Sequence, residues 1–105
     1  MSNSGLSVKD EELRELAYTS VDATYNALGT ALAHDAFTVR IVNDMDVPAY
    51  ISVDGTTNIK KLAAKSGLII DYKTNDSWRK AGTIFYAKRD GTANEGGVWV
   101  EVEYT

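Results

Sequence analysis

"VWVEVEYT" at 98–105 alternates without a break: Val98, Val100, Val102 and Tyr104 fall on one side, Trp99, Glu101 and Glu103 on the other. Successive side chains of an extended chain point to opposite faces, so a period of two marks a strand with one face on a core. The other face meets water or a partner. Working back along the chain, "TIFYAK" at 83–88 is apolar on both faces and reads as a central strand. "SGLIIDY" at 66–72 places Leu68, Ile70 and Tyr72 together. "AYISV" at 49–53 does the same with Ala49, Ile51 and Val53, and "FTVRIV" at 37–42 with Phe37, Val39 and Ile41. "NIKKLAA" at 58–64 fits two patterns, a helical turn through Ile59 and Leu62 or a short edge strand. Short strands separated by Gly, Asn and Asp turns predict an all-β fold, an antiparallel β-sandwich or jelly-roll-like small barrel of about 6–8 strands.

The N-terminus has a different pattern. Ser7 and Asp10 resemble a capping box ahead of "VKDEELREL", where Leu13 and Leu16 stand three apart and acidic residues crowd the first turn. A short helix or turn is expected there, forming an N-terminal extension over 1–15 ahead of a single domain over 16–105. Its apolar residues are too few for a helix that stands alone, because isolated helices shorter than about 12–15 residues are marginal in water. The segment must dock on something.

The whole chain has 105 residues, 44% of them hydrophobic and 25% charged, as in a soluble single-domain protein. A net charge of −4 argues against nucleic acid, whose phosphates draw on clustered Lys and Arg. With no cysteine, thiol chemistry and Cys-based zinc sites are excluded. The N-terminus lacks a basic region followed by an apolar run, and no stretch approaches the roughly 18 apolar residues of a membrane span, so no membrane partner is expected.

Two stretches answer each other: "YISVDGTTN" at 50–58 and "YAKRDGTAN" at 86–94 match at Tyr50/Tyr86, Asp54/Asp90, Gly55/Gly91, Thr56/Thr92 and Asn58/Asn94. Asp-Gly after an alternating strand is a hairpin signal, since Gly accepts positive φ and Asp bonds its own backbone two residues on. A calcium loop needs oxygen ligands at alternate positions, a Gly at the sixth and a Glu at the twelfth, which neither stretch supplies. "NDMD" at 43–46 begins such an alternation, but Val47, Pro48 and Ala49 follow it. Asp54, Gly55, Asp90 and Gly91 are therefore read as structural turns, with no metal and no cofactor.

Catalysis finds no constellation. The lone His34 precedes Asp35, and neighbours on an extended chain point apart, so they do not form an oriented base. Glu101 and Glu103 share a face, a pattern that serves solubility or edge protection on an exposed strand. Six Tyr and two Trp exceed what a small core needs and favour an interface, where aromatic rings bury area at low entropic cost. Leu13, Leu16, Trp78, Trp99, Glu101 and Glu103 are the candidate contact residues, Trp99 foremost because it faces away from the valine row.

The phrases "LRELAYTSVDATYNALGTALAHDAFTVRIVNDMDVPAYISVDG", "KSGLIIDYKTN" and "GVWVEVEY" together resemble small virion structural proteins of tailed bacteriophages. In that group a short N-terminal strand, an "RIVN" strand, an "S-x-DG" hairpin, a "Gly-x-x-x-Asp" strand and a valine-rich final strand follow one another. The resemblance spans Leu13 to Tyr104, and this chain departs from it in "SVKDEELRE" and "TNDSWRKAG". It implies a capsid cement or decoration protein, or a neck or tail accessory subunit. Such a protein would be assembled in the bacterial host cytoplasm, homo-oligomeric on the virion and in contact with other virion proteins, with no reaction to perform. The alternative is a lectin-like sandwich presenting Trp78 and the Asp54 or Asp90 loops to a glycan.

Overall fold

The computed structural model describes residues 8–72 and 79–105. Among them the chain forms β1 (Lys9–Asp10), β2 (Arg14–Ala17), a 3₁₀ turn (Tyr18–Ser20), β3 (Asn26–Ala27), β4 (Thr38–Asn43), β5 (Ala49–Ser52), β6 (Lys60–Leu62), β7 (Ser66–Asp71), β8 (Tyr86–Arg89) and β9 (Gly97–Tyr104). Two antiparallel sheets face each other as a sandwich. One has five strands in the order β1-β9-β4-β7, with β2 also on β9; the other has four, β3-β8-β5-β6. The fold is all-β as the alternation predicts, and the strand number exceeds six to eight because pairings as short as β1 and β3 add to it.

The valine row meets its core. Val98, Val100 and Val102 of β9 and Val39 and Ile41 of β4 line one layer, Ala49, Ile51 and Ala87 the other, with Phe85, Leu28 and Met45 between them; each is at most 1% exposed. Each such valine contributes about 2 kcal/mol of burial free energy. β8 lies between β3 and β5, the interior position expected for "TIFYAK", and "NIKKLAA" resolves into β6, paired with β5. Among the described residues β6 pairs with β5 alone, so it is an edge of its sheet.

After β4 the chain changes layers repeatedly. β4 belongs to the five-stranded sheet, β5 and β6 to the four-stranded one, β7 to the first, β8 to the second and β9 to the first. Of these consecutive strands, β5 and β6 alone pair as a hairpin. The crossings are pinned by buried polar groups. Asn43, fully buried at the end of β4, donates through Nδ2 to the carbonyls of Val47, Leu62 and Ala63 at 2.9, 3.3 and 3.1 Å, and its Oδ1 accepts the N–H of Met45 at 3.1 Å. Where β9 begins, Gly96 has φ +83°, and a Cβ there would lie 2.0 Å from the Asp44 carbonyl oxygen. The two crossings thus pass at backbone contact.

The helix expected in "VKDEELREL" does not form. β1 and β2 instead pair with β9, Asp10 opposite Glu103 and Arg14 opposite Val100. Glu11, Glu12 and Leu13 therefore span the length of Glu101 and Val102, a bulge of one extra residue. Because side chains alternate, the extra residue brings Glu11 and Arg14 to the same inward side although they are three apart. The Leu13–Leu16 spacing is not that of a helical turn: Leu13 stands exposed on the bulge while Leu16, on the extended β2, packs against the core. The segment's docking surface is β9 of its own chain.

Candidate functional site

The outer face of the five-stranded sheet carries Trp99, beside Val42 on β4 and Glu15 on β2. Its ring is half-buried, and Nε1 donates to Glu101 Oε2 at 3.1 Å; Arg40 donates to the same oxygen at 2.9 Å. Next to Arg40, Ile69 on β7 is 64% exposed. Asp10, Thr38, Arg40, Ile69, Glu101 and Glu103 line a recess in this face. Trp99, Glu101 and Glu103 are thus brought together as the alternation predicts. Leu13 stands exposed on the bulge, whereas Leu16, opposite Val98, is half-buried and packs against the core of its own chain. Trp78 lies outside the described residues.

The outer face of the four-stranded sheet holds an arrangement the sequence reading missed. Lys88 on β8, Tyr50 on β5 and Lys61 on β6 are direct cross-strand neighbours. The Lys88 ammonium lies 4.8 Å from the centre of the Tyr25 ring and 5.4 Å from that of Tyr50, and Lys61 lies 5.3 Å from Tyr50. The result is a cation–π row, Tyr25, Lys88, Tyr50, Lys61, running across the sheet. Burial, and then the Asp54 charge, push the Tyr25 phenol up, and its hydroxyl donates to Asn58 Oδ1. The available signal was "YAK" at 86–88: alternation puts Tyr86 and Lys88 on one face, but the meeting of Lys88 with Tyr50, and of Tyr50 with Lys61, depends on which strands pair.

The two matched loops diverge. Asp54 closes the β5–β6 hairpin: Oδ1 accepts the N–H groups of Thr56 and Thr57 at 2.8 and 2.7 Å and the Ser52 hydroxyl at 2.8 Å, and Oδ2 accepts the Thr57 hydroxyl at 2.8 Å. Led by the Thr57 N–H, these bonds hold the Asp54 carboxyl far below the usual carboxylate range. Gly55 has φ +82°. Asp90 and Gly91, φ +106°, leave β8 toward β9 in the other sheet, so theirs is a crossing and not a hairpin. That crossing is pinned where Asp46 Oδ1 accepts the Asn94 N–H at 2.9 Å.

At the bulge, Glu11 and Arg14 pair at 2.7 Å with side chains 4% and 7% exposed. Arg14 also donates to the carbonyls of Thr30 and Ala31, and Glu11 accepts the N–H groups of Ala33 and His34 and faces His34 Nδ1 at 2.9 Å. The His34 ring stacks on Tyr104 at 3.6 Å. Burial pushes the Glu11 carboxyl up, but the bonds from His34, Arg14 and the two backbone N–H groups outweigh it and hold it below its ordinary value. His34 is part of a clasp that ties the loop before β4 to the N-terminal strands, and Asp35 points elsewhere, to the Ala81 N–H. Among the described residues no three His, Asp or Glu side chains gather as a metal site.

No protein-family model matches the chain, and no curated protein matches it in sequence.

Proposed function

We propose that the protein is a non-enzymatic structural subunit of a tailed-phage particle, a capsid cement or decoration protein or a neck or tail accessory subunit, assembling through protein–protein contacts. The observation that supports it is the outer face of the five-stranded sheet, where half-buried Trp99 and exposed Ile69 stand among Arg40, Glu101 and Glu103. An aromatic anchor inside a charged rim is the anatomy of contact surfaces. Trp99 is also pre-set, because its indole N–H is held by Glu101 and its ring loses little freedom on contact. The phage setting comes from the "RIVN", "S-x-DG" and valine-rich strand phrases.

The test is incorporation into particles made in the producing host, followed by mass spectrometry of the purified particles. The parent chain is expected in them, and Trp99→Ala, folded by circular dichroism, is expected to fall at least about tenfold in occupancy, the scale of a contact hot spot. Absence of the parent chain from particles, or full occupancy by Trp99→Ala, overturns the reading.

A further inference from the structure

The two outer faces of the sandwich differ in charge. On the five-stranded sheet, Asp10 and Glu103 are directly opposite each other on β1 and β9, with Glu101 and Glu15 nearby and Arg40 already paired with Glu101. Like charges facing across a ladder destabilise it, so this face gains from a cation brought to it. On the four-stranded sheet the row is Tyr25, Lys88, Tyr50 and Lys61, with Asp90 at its margin 3.7 Å from Lys61.

We propose that copies of this chain stack head to tail, the lysine-tyrosine row of one docking on the Asp10, Glu101 and Glu103 recess of the next. This rests on the reading of the protein as an assembly subunit and names the partner as a second copy. Charge complementarity selects the arrangement: at a net charge of −4 two copies repel in general, and either face against itself sets like charge on like. The recess suits a lysine, since Ile69 and Thr38 line it beside the carboxylates and can cover the aliphatic stem while the ammonium meets the charge. Both lysines are already held against tyrosine rings, which lowers the cost of ordering them. Because the two patches differ and lie on opposite sides of the sandwich, the contact is heterologous and does not stop at a dimer unless one face is lost.

Sedimentation velocity on the full chain tests this. The parent chain is expected to form species beyond dimer in about 0.01 M salt and to revert to monomer in about 1 M, where the Debye length falls from about 30 to about 3 Å. Two folded variants, Lys61→Ala/Lys88→Ala and Asp10→Asn/Glu103→Gln, remove the two lysines of one face and the two facing carboxylates of the other, and each alone should self-associate at least about tenfold more weakly. Mixed in equal amounts they should give a 1:1 dimer that grows no further, since each supplies the face the other lacks. A parent chain that stays monomeric in low salt, a variant that stacks like the parent, or a mixture without the dimer overturns the proposal. Stacking by a chain absent from particles refutes the proposed function and keeps the stack; incorporation of a chain that stays monomeric in low salt does the reverse.

Discussion

Glu11 and Arg14 form a 2.7 Å ion pair on the inward side of a strand, three residues apart, because a one-residue bulge opposite Glu101 and Val102 turns both toward the same side. Removing Arg14 leaves the nearly buried Glu11 carboxylate with the Ala33 and His34 N–H groups and the His34 ring in place of its guanidinium partner, and removing Glu11 leaves Arg14 held by backbone carbonyls without its carboxylate. Arg14→Ala and Glu11→Ala are each expected to cost about 3 kcal/mol in urea unfolding. The double variant should cost clearly less than the sum, because the two residues act through one contact. Additive losses would mean that the pair contributes nothing as a pair.

The Asp54 carboxyl is held well below its ordinary value by bonds it accepts from Thr57, Thr56 and Ser52. A carboxyl whose folded pKa is depressed contributes stability that is present above the unfolded value, about 3.9 for Asp, and is lost as pH falls through the folded one. The melting temperature should therefore drop as pH is lowered below about 4. Asp54→Asn should be less stable at neutral pH and show a shallower acid decline, and an unchanged acid slope would count against this account. Glu11, also depressed, adds in the same direction.

With both Asp54 oxygens taken by the hairpin itself, calcium should not raise the melting temperature. Gly55→Val should lower it by an amount corresponding to about 1–2 kcal/mol, since a β-branched residue is forced to φ +82°. A calcium-dependent rise of several degrees would overturn the turn reading.

Gly96 and Gly82 separate two costs of adding a methyl group. Both have positive φ, but a Cβ on Gly96 would lie 2.0 Å from the Asp44 oxygen, while among the described residues nothing lies within 4 Å of one on Gly82. Gly82→Ala should cost about 1 kcal/mol from backbone strain alone. Gly96→Ala should cost at least about 3 kcal/mol, because backbone must move. Equal losses by thermal unfolding would show that the crossing yields easily.

Asn43→Leu is expected to destabilise by about 3 kcal/mol, since it strips partners from the Met45 N–H and from three carbonyls at a buried crossing. A native-like denaturation midpoint in urea would show that water replaces the amide there.

Much of the fold is local information. Alternation places Val98, Val100 and Val102 inward and Trp99, Glu101 and Glu103 outward whatever the neighbouring strands, because the period of two belongs to the single chain. The Asp54-Gly55 hairpin is equally local: Asp54, Ser52 and Thr57 satisfy one another within six residues. Pairing across long separations is not. Whether Asp90-Gly91 closes a hairpin or crosses between sheets depends on β9 finding β4 and β8 finding β5, which no short stretch encodes. The N-terminal segment shows the same division, since Leu13 and Leu16 stand three apart in the sequence, but β9 of the same chain satisfies its backbone as a bulged strand instead of a helix. The outward direction of Trp99 was therefore set by the sequence through side-chain alternation, while the lysine-tyrosine row, the Glu11–Arg14–His34 clasp and the opposition of Asp10 and Glu103 exist only once distant strands are hydrogen-bonded in register.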